Sequence, residues 1–582
     1  MILQHRPNIK PNYKPNQIMK TNLFTCTITA MALLASCSKQ AAVKYPKPFV
    51  RTDSVQLTSG SPVSSYGTFF ITNVLSGKAI EINSSGMLND GTGAQQNQYS
   101  GSGTATAPNQ KWIIVQQGSG AITSTTKFKI MNVASGKYLE VPLATTNPGT
   151  GLWQDKANTN NAQQWYIQAV STGVYKIINV GNGLAVTNHG SSATNGTPIT
   201  QEVFVAGNTA QTWLLNGLIA EAYRDDDVVN FFHRTNGTVA FDEGKSIPLT
   251  YGANNGKVLW ITEDAYESSQ LQSNGQLYCQ FFKYHNSALL QPASHSWDQS
   301  LTPNITTNNS PVNSMEIIES PGDHNSTYRW PGAGIEAGSH VYLYTFESAN
   351  GSTPENQVLY DLTQNTSGLN WGTAARLTPA GMSGQTETGF SNGMVKNATN
   401  DSVYVYGSKS VFFNTSNVFL ARFPVSNPSN WSFWTGSSWS STRTTASAAA
   451  ISVGAGNTTQ QNVTISKVNN KYVMMQMDLG YFCDPASHNI YISTADSPKG
   501  PFTTPKMVFT INDVYQGHLA KYYTPAIHSE FVNGHNELLV TYCLNYNGDG
   551  GSCSTTTCVN NNQDPNFYQV KAVRIPYSLV GL

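Results

Sequence analysis

Residues 65–216 repeat themselves three times, and this constrains the fold more than any other feature of the chain. The units open with Phe70-Ile71-Thr72-Asn73-Val74, Ile130-Met131-Asn132-Val133 and Ile177-Ile178-Asn179-Val180. They close with Gln-x-Trp at Gln110/Trp112, Gln163/Trp165 and Gln211/Trp213. Short alternating apolar stretches separated by turns such as Ser76-Gly77-Lys78 and Ser135-Gly136-Lys137 predict strands. One such unit cannot bury its own apolar face, but three packed about a pseudo-threefold axis can. In that arrangement each Trp fills the core and each Gln bonds loop backbone.

The triple Gln-x-Trp resembles the ricin-type β-trefoil lectins. That resemblance implies a sugar held between an acidic residue after the Ser-Gly-Lys turn, an aromatic platform and a polar side chain. Glu81 and Glu140 fall at the acidic position, Trp153 is the candidate platform, and Gln110 and Gln163 complete the set beside their core role. A sugar's C–H face packs on an aromatic ring while its hydroxyls need fixed partners. The third repeat reads Leu184-Ala185-Val186 with no carboxylate. The second repeat is therefore expected to hold the pocket and the third to act as scaffold.

From residue 222 to 582 the pattern changes but stays all-β. Apolar strands recur five times, as Lys257–Ile261, Val341–Phe346, Ser402–Tyr406, Tyr472–Met477 and Glu537–Tyr542. Forty-eight Gly and 27 Pro punctuate them, and no long amphipathic helix is evident. Four short strands per unit, five times over, predict a five-bladed β-propeller, with a pair of β-sandwiches as the alternative. The predicted architecture is an N-terminal β-trefoil followed by this propeller.

Several short stretches of the second region resemble a poorly characterised set of glycosidase-like propellers. These are Phe241-Asp242-Glu243-Gly244, Leu259-Trp260-Ile261-Thr262-Glu263-Asp264, His285-Asn286-Ser287, Trp330-Pro331-Gly332-Ala333-Gly334, Ser497–Phe502 and His528-Ser529-Glu530. Two departures stand out: Glu263-Asp264-Ala265 replaces Gly-Asp-Thr, and Ala333 occupies a position that is usually Asp. Glycoside hydrolysis needs two carboxyl groups flanking the scissile bond. The resemblance offers Asp264 as base or nucleophile, Asp242 beside it, and Glu530 as acid with His528 orienting it. His528 and Glu530 are expected to share one face of a strand, and Asp264 and Glu530 to face one cleft.

The N-terminus reads as an address. Met19 is the expected start, and an apolar stretch too short to span a bilayer leads to Leu34-Ala35-Ser36-Cys37, which matches a bacterial lipobox with Cys37 as the lipidated residue. Residues 1–37 are thus assigned to the signal region, 38–64 to a tether, 65–216 to the trefoil and 222–582 to the propeller. The mature protein is expected outside the cytoplasm, anchored to a bacterial membrane and most consistent with the outer membrane or cell surface. Lys and Arg (33) balance Asp and Glu (33), which disfavours a nucleic-acid or other polyanionic partner, so the polysaccharide or oligosaccharide that the two resemblances imply is expected to be neutral. No cofactor fingerprint is present and no metal site is expected. Of the five cysteines beyond Cys37, Cys553 and Cys558 are close enough to pair, with Cys543 as competitor.

Overall fold

In the computed structural model the residues described are 63–582, apart from 101–106, 311–312, 320–326, 350–355, 413, 480–487, 512, 516–517, 520 and 546–557. Met19, Cys37 and the tether to residue 62 lie outside them. No helix among the described residues is long and apolar enough to cross a membrane.

The threefold repeat closes into a barrel. Tyr66–Asn73 pairs with Lys111–Gln116 on one side and with Trp213–Leu218 on the other. Lys127–Asn132, Trp165–Ser171 and Val174–Asn179 complete the ring. Trp112, Trp165 and Trp213 are fully buried at its centre. Each indole Nε1 donates to the backbone oxygen of the residue before the acidic position: Ile80 (2.9 Å), Leu139 (3.1 Å) and Val186 (3.0 Å). This pins the hairpin of each repeat to the barrel floor.

The second region is a five-bladed propeller, as the spacing of its apolar strands predicts. The inner strands are Thr238–Pro248, Tyr328–Ala337, Gly389–Lys396, Asn462–Val468 and Lys521–His528 for blades 1 to 5. They contact one another in a ring. The apolar stretches legible in the sequence are the second strands: Val258–Glu267, His340–Ser348, Ser402–Phe412, Lys471–Met477 and Glu537–Asn545. A second strand lies inside its sheet and is covered on both faces by neighbouring blades, which is why it reads as an almost continuous apolar run. Five apolar clusters fill the five gaps between blades. The ring is closed by chain ends, because Tyr223–Arg224 pairs with Tyr568–Pro576 in blade 5.

Among the described residues, trefoil and propeller belong to one compact unit. Lys111 reaches Glu221 (2.6 Å), and Lys137 bridges Asp90 (2.7 Å) and Asp226 (2.8 Å). Tyr66 and Tyr223 both donate to the Glu537 carboxylate at 2.7 Å. The expected cysteine pairing is corrected: Cys558 is bonded to Cys279, joining a blade 1 loop to a blade 5 loop, and Cys543 is free and buried. Loop proximity in the closed ring outweighs proximity in sequence; Cys553 lies outside the described residues.

Candidate active site and glycan sites

The inner strands of four blades are irregular at one level of the axis. Register shifts fall between Phe241 and Lys245 in blade 1, Pro331 and Gly334 in blade 2, Gly389 and Gly393 in blade 3, and Tyr523 and Ala526 in blade 5. Bulges re-aim side chains and bend strands, and they concentrate beside functional sites. Here they open an axial pocket of about 320 Å³ to which all five blades contribute. Its wall is mostly neutral and polar, with Ser391, Asn392, Ser408, Asn462 and Thr524, and Phe346 is an aromatic face. Below it the channel narrows to about 60 Å³ beside Ala333, Gly334 and Gly393.

Four carboxyl groups cluster here, two lining the pocket and two beside it. In the first bulge Glu263 and Asp264 together face Asp242, since Phe241 pairs with Ala265 and Glu243 with Thr262. Glu243 has φ +72°, a left-handed conformation that costs a non-glycine residue of the order of 1–3 kcal/mol and clusters at functional sites. Its carboxylate pairs with Lys245, whose Nζ also donates to Ser391 O across the axis at 3.0 Å. Glu243, Lys245 and Glu263 line the pocket.

Asp242 and Asp264 are brought together, as expected, but flank the pocket rather than line it. Asp242 is buried and accepts from Tyr523 OH at 2.5 Å. Burial, followed by the neighbouring Asp264 charge, pushes its pKa up to about 8, so it carries a proton at neutral pH. The Asp264 side chain is one-fifth exposed. Trp330 Nε1 donates to its Oδ1 at 3.0 Å, and His285 Nδ1 lies 2.7 Å from the same oxygen. Glu263 is held well above the usual carboxyl range by burial and then by the Glu243 and Asp242 charges.

The expected pairing of Asp264 with Glu530 across one cleft is corrected. His528 is the last residue of its strand, and Glu530 sits in the turn beyond it, so the two do not share a strand face. Both lie at the level of Ser246, about 10–13 Å along the inner strand from Asp242 at the ordinary rise per residue. The His528 ring is clamped between Ser246 Oγ (2.6 Å) and Thr541 Oγ1 (2.7 Å), which makes it a staple between blades 5 and 1. Burial pushes Glu530 up to about 7 and His528 down to about 3. The cause of the miss is the chain reversal after His528, which strand alternation does not encode.

Sequence reading missed Glu243, Lys245 and Glu263 as pocket residues. The signal was present: Asp242-Glu243-Gly244-Lys245 packs three charges into four positions of a strand, in a chain with only 11% charged residues. Among the described residues no group of three or more His, Cys, Asp or Glu could hold a metal ion.

The trefoil positions are equivalent in geometry and unequal in chemistry. Gln110 Nε2 donates to Glu81 Oε2 (2.9 Å), and Gln163 Nε2 to Glu140 Oε2 (2.5 Å). In the third repeat Gln211 donates to Thr187 Oγ1 (3.2 Å), so a threonine stands where the carboxylate would be. Glu81 has both oxygens engaged, because Gln95 and Asn97 donate to Oε1. The hydrogen bonds to Glu140, from Gln163 and Asn158, both fall on Oε2. Trp153 is directly opposite Glu140 in the ladder and half-buried.

The family model described as Domain of unknown function (DUF5005) matches residues 225–573. The model described as ricin-type beta-trefoil lectin domain-like matches residues 121–202 and 161–240. No curated protein is significantly similar to the chain. Among solved structures, a Bacteroides ovatus ATCC 8483 protein that carries a provisional hydrolase name is 14% identical, with 61% of this chain and 90% of that one covered at TM-score 0.47. The designed threefold-symmetric protein ThreeFoil is 28% identical over 26% of this chain and 99% of its own, TM-score 0.23. A Macrolepiota procera ricin B-like lectin, solved with lactose, is 23% identical over 27% of this chain and 99% of its own, TM-score 0.22. With more than half its length matched, the chain belongs to the DUF5005 family, and it carries a ricin-type β-trefoil lectin-like domain ahead of that propeller.

Proposed function

We propose that the protein captures a neutral polysaccharide through its trefoil and hydrolyses glycosidic bonds in the axial pocket of its propeller, tethered to the outside of a bacterial membrane through a lipid on Cys37. One observation carries the catalytic part: a pocket of monosaccharide scale, walled mostly by neutral hydroxyl and amide groups with the rings of Phe346 and Tyr523, is lined by the Glu243 and Glu263 carboxyls, with Asp242 and Asp264 beside them. Neutral hydrogen-bonding groups match sugar hydroxyls, and the carboxyls are the groups that glycoside hydrolysis requires. Asp264, the more accessible of the outer pair, serves as the base, with Asp242 and its proton beside it. In the trefoil, Glu140 and Trp153 of the second repeat form the capture site. A lectin joined to a catalyst raises local substrate concentration, so weak individual sites suffice.

The test is release of reducing ends from a panel of plant and microbial polysaccharides. Wild type should cleave at least one, and Asp264→Asn should lose on the order of 10³-fold in rate while retaining fold and glycan affinity. Binding without cleavage by wild type would leave a glycan-binding protein, the reading that Ala333 in place of an acidic residue favours.

A further inference from the structure

We infer that Glu263 is the proton donor of the axial pocket, with Glu243 and Lys245 as the residues that position it. The inference rests on the hydrolase reading and fills the acid role that Glu530, at the other end of the inner strand, does not reach.

Three independent features converge on Glu263. It lines the pocket that all five blades build, whereas Asp242 and Asp264 stand beside that pocket. Its carboxyl stands opposite the bulge that carries Glu243, and two carboxyl groups brought together in this way hold a proton between them, because both cannot ionise at close range. Glu243 is itself fixed: its backbone is left-handed, register shifts flank it on both sides, and Lys245 ties its carboxylate towards blade 3 through Ser391. The proton is therefore held on the Glu263 side of the pair, facing the cavity. Burial and the surrounding Asp242 and Glu243 charges retain it at neutral pH.

The step balances within the site. The Glu263 carboxyl gives its proton to the glycosidic oxygen as the bond from that oxygen to the anomeric carbon breaks, and the bonding pair stays on the oxygen. A water oxygen bonds to the anomeric carbon, and its proton passes to Asp264, whence solvent returns it to Glu263.

A proton donor is dispensable when the leaving group is already acidic, which separates this role from a structural one. Polysaccharide and the dinitrophenyl glycoside of the sugar released by wild type should be compared in Glu263→Gln. The expected result is a loss of roughly 10²–10⁴-fold on polysaccharide and less than about 10-fold on the activated glycoside. Cleavage of the activated glycoside also reports that the variant is folded. Glu243→Gln removes a charge that helps Glu263 hold its proton, so turnover on polysaccharide should fall and the alkaline limb of the pH–rate profile, set by loss of that proton, should move to lower pH. Equal losses of Glu263→Gln on both substrates, or none on either, would overturn the assignment. A wild type that releases sugar from no polysaccharide would overturn the hydrolase reading first and the donor role with it, a result distinct from both.

Discussion

Glu140 and Thr187 occupy the same place in two copies of one repeat, and the difference between them is a single side chain. Both accept from the Gln of Gln-x-Trp, so the fold is served by either; only Glu140 adds a carboxylate beside an aromatic ring. Trp153→Ala is therefore expected to abolish glycan binding by the trefoil without altering its fold, read by glycan-array binding together with near-ultraviolet circular dichroism. Unchanged binding would move the site to another repeat. Trp165 is the contrasting residue, fully buried with its Nε1 bonded. Trp165→Ala should destabilise the trefoil by about 3–5 kcal/mol in chemical denaturation. Asp264 and Glu530 form a second contrast. Glu530→Gln should leave polysaccharide cleavage within a few-fold of wild type, because its carboxyl is at the Ser246 level, whereas Asp264→Asn should not.

Elements decide how the ring holds. Blade 5 is built from Lys521–His528, Glu537–Asn545 and Tyr568–Pro576 together with Tyr223–Arg224, and its inner strand is stapled to blade 1 by His528. The ring of His528 is buried between two hydroxyls, and burial lowers its pKa to about 3. The unfolded chain binds this proton near pH 6.5 and the folded chain does not. Stability contributed at neutral pH is thus lost as pH falls from about 6.5 towards 3. His528→Gln should lower stability at pH 7 yet flatten its dependence on pH across that window, as measured by urea unfolding at stepped pH. Asp242 acts with the opposite slope. Its folded pKa of about 8 lies above the unfolded carboxyl value, so the folded state gains protons relative to the unfolded state, and stability falls as pH rises from about 4 to 8.

At the scale of the whole molecule, two closed rings are joined at an interface of ion pairs and tyrosine hydroxyls. The trefoil barrel closes on itself through Tyr66–Asn73 and Trp213–Leu218, with its core internal to residues 69–215. Residues 65–216 expressed alone should fold and bind glycans weakly, the affinity falling short of the full chain because the second, propeller site is gone. Cys37→Ser should move the full-length protein from membrane to soluble fractions; retention in the membrane would remove the lipid-anchor proposal.

Periodicity determined what the sequence determines here. Three Gln-x-Trp units close a barrel because each leaves an apolar face that only its copies can cover. Five apolar strands, buried on both faces, declared the blades before any contact was known. The equivalence of Glu81, Glu140 and Thr187 was legible because the repeat can be aligned with itself, whereas the sugar-binding role proposed for Glu140 and Trp153 comes from the resemblance to ricin-type lectins. The propeller site was legible only as fragments. Asp242 and Asp264 stood in recognisable strands, but bulges, absent from any alternation rule, decided that Glu243 and Glu263 rather than they would line the pocket. The turn after His528 and the pairing of Cys279 with Cys558 were likewise set by ring closure, which brings together residues hundreds of positions apart. Local pattern is written residue by residue; which carboxyls share a cavity depends on how five blades meet on one axis, and that is a property of the packed ring alone.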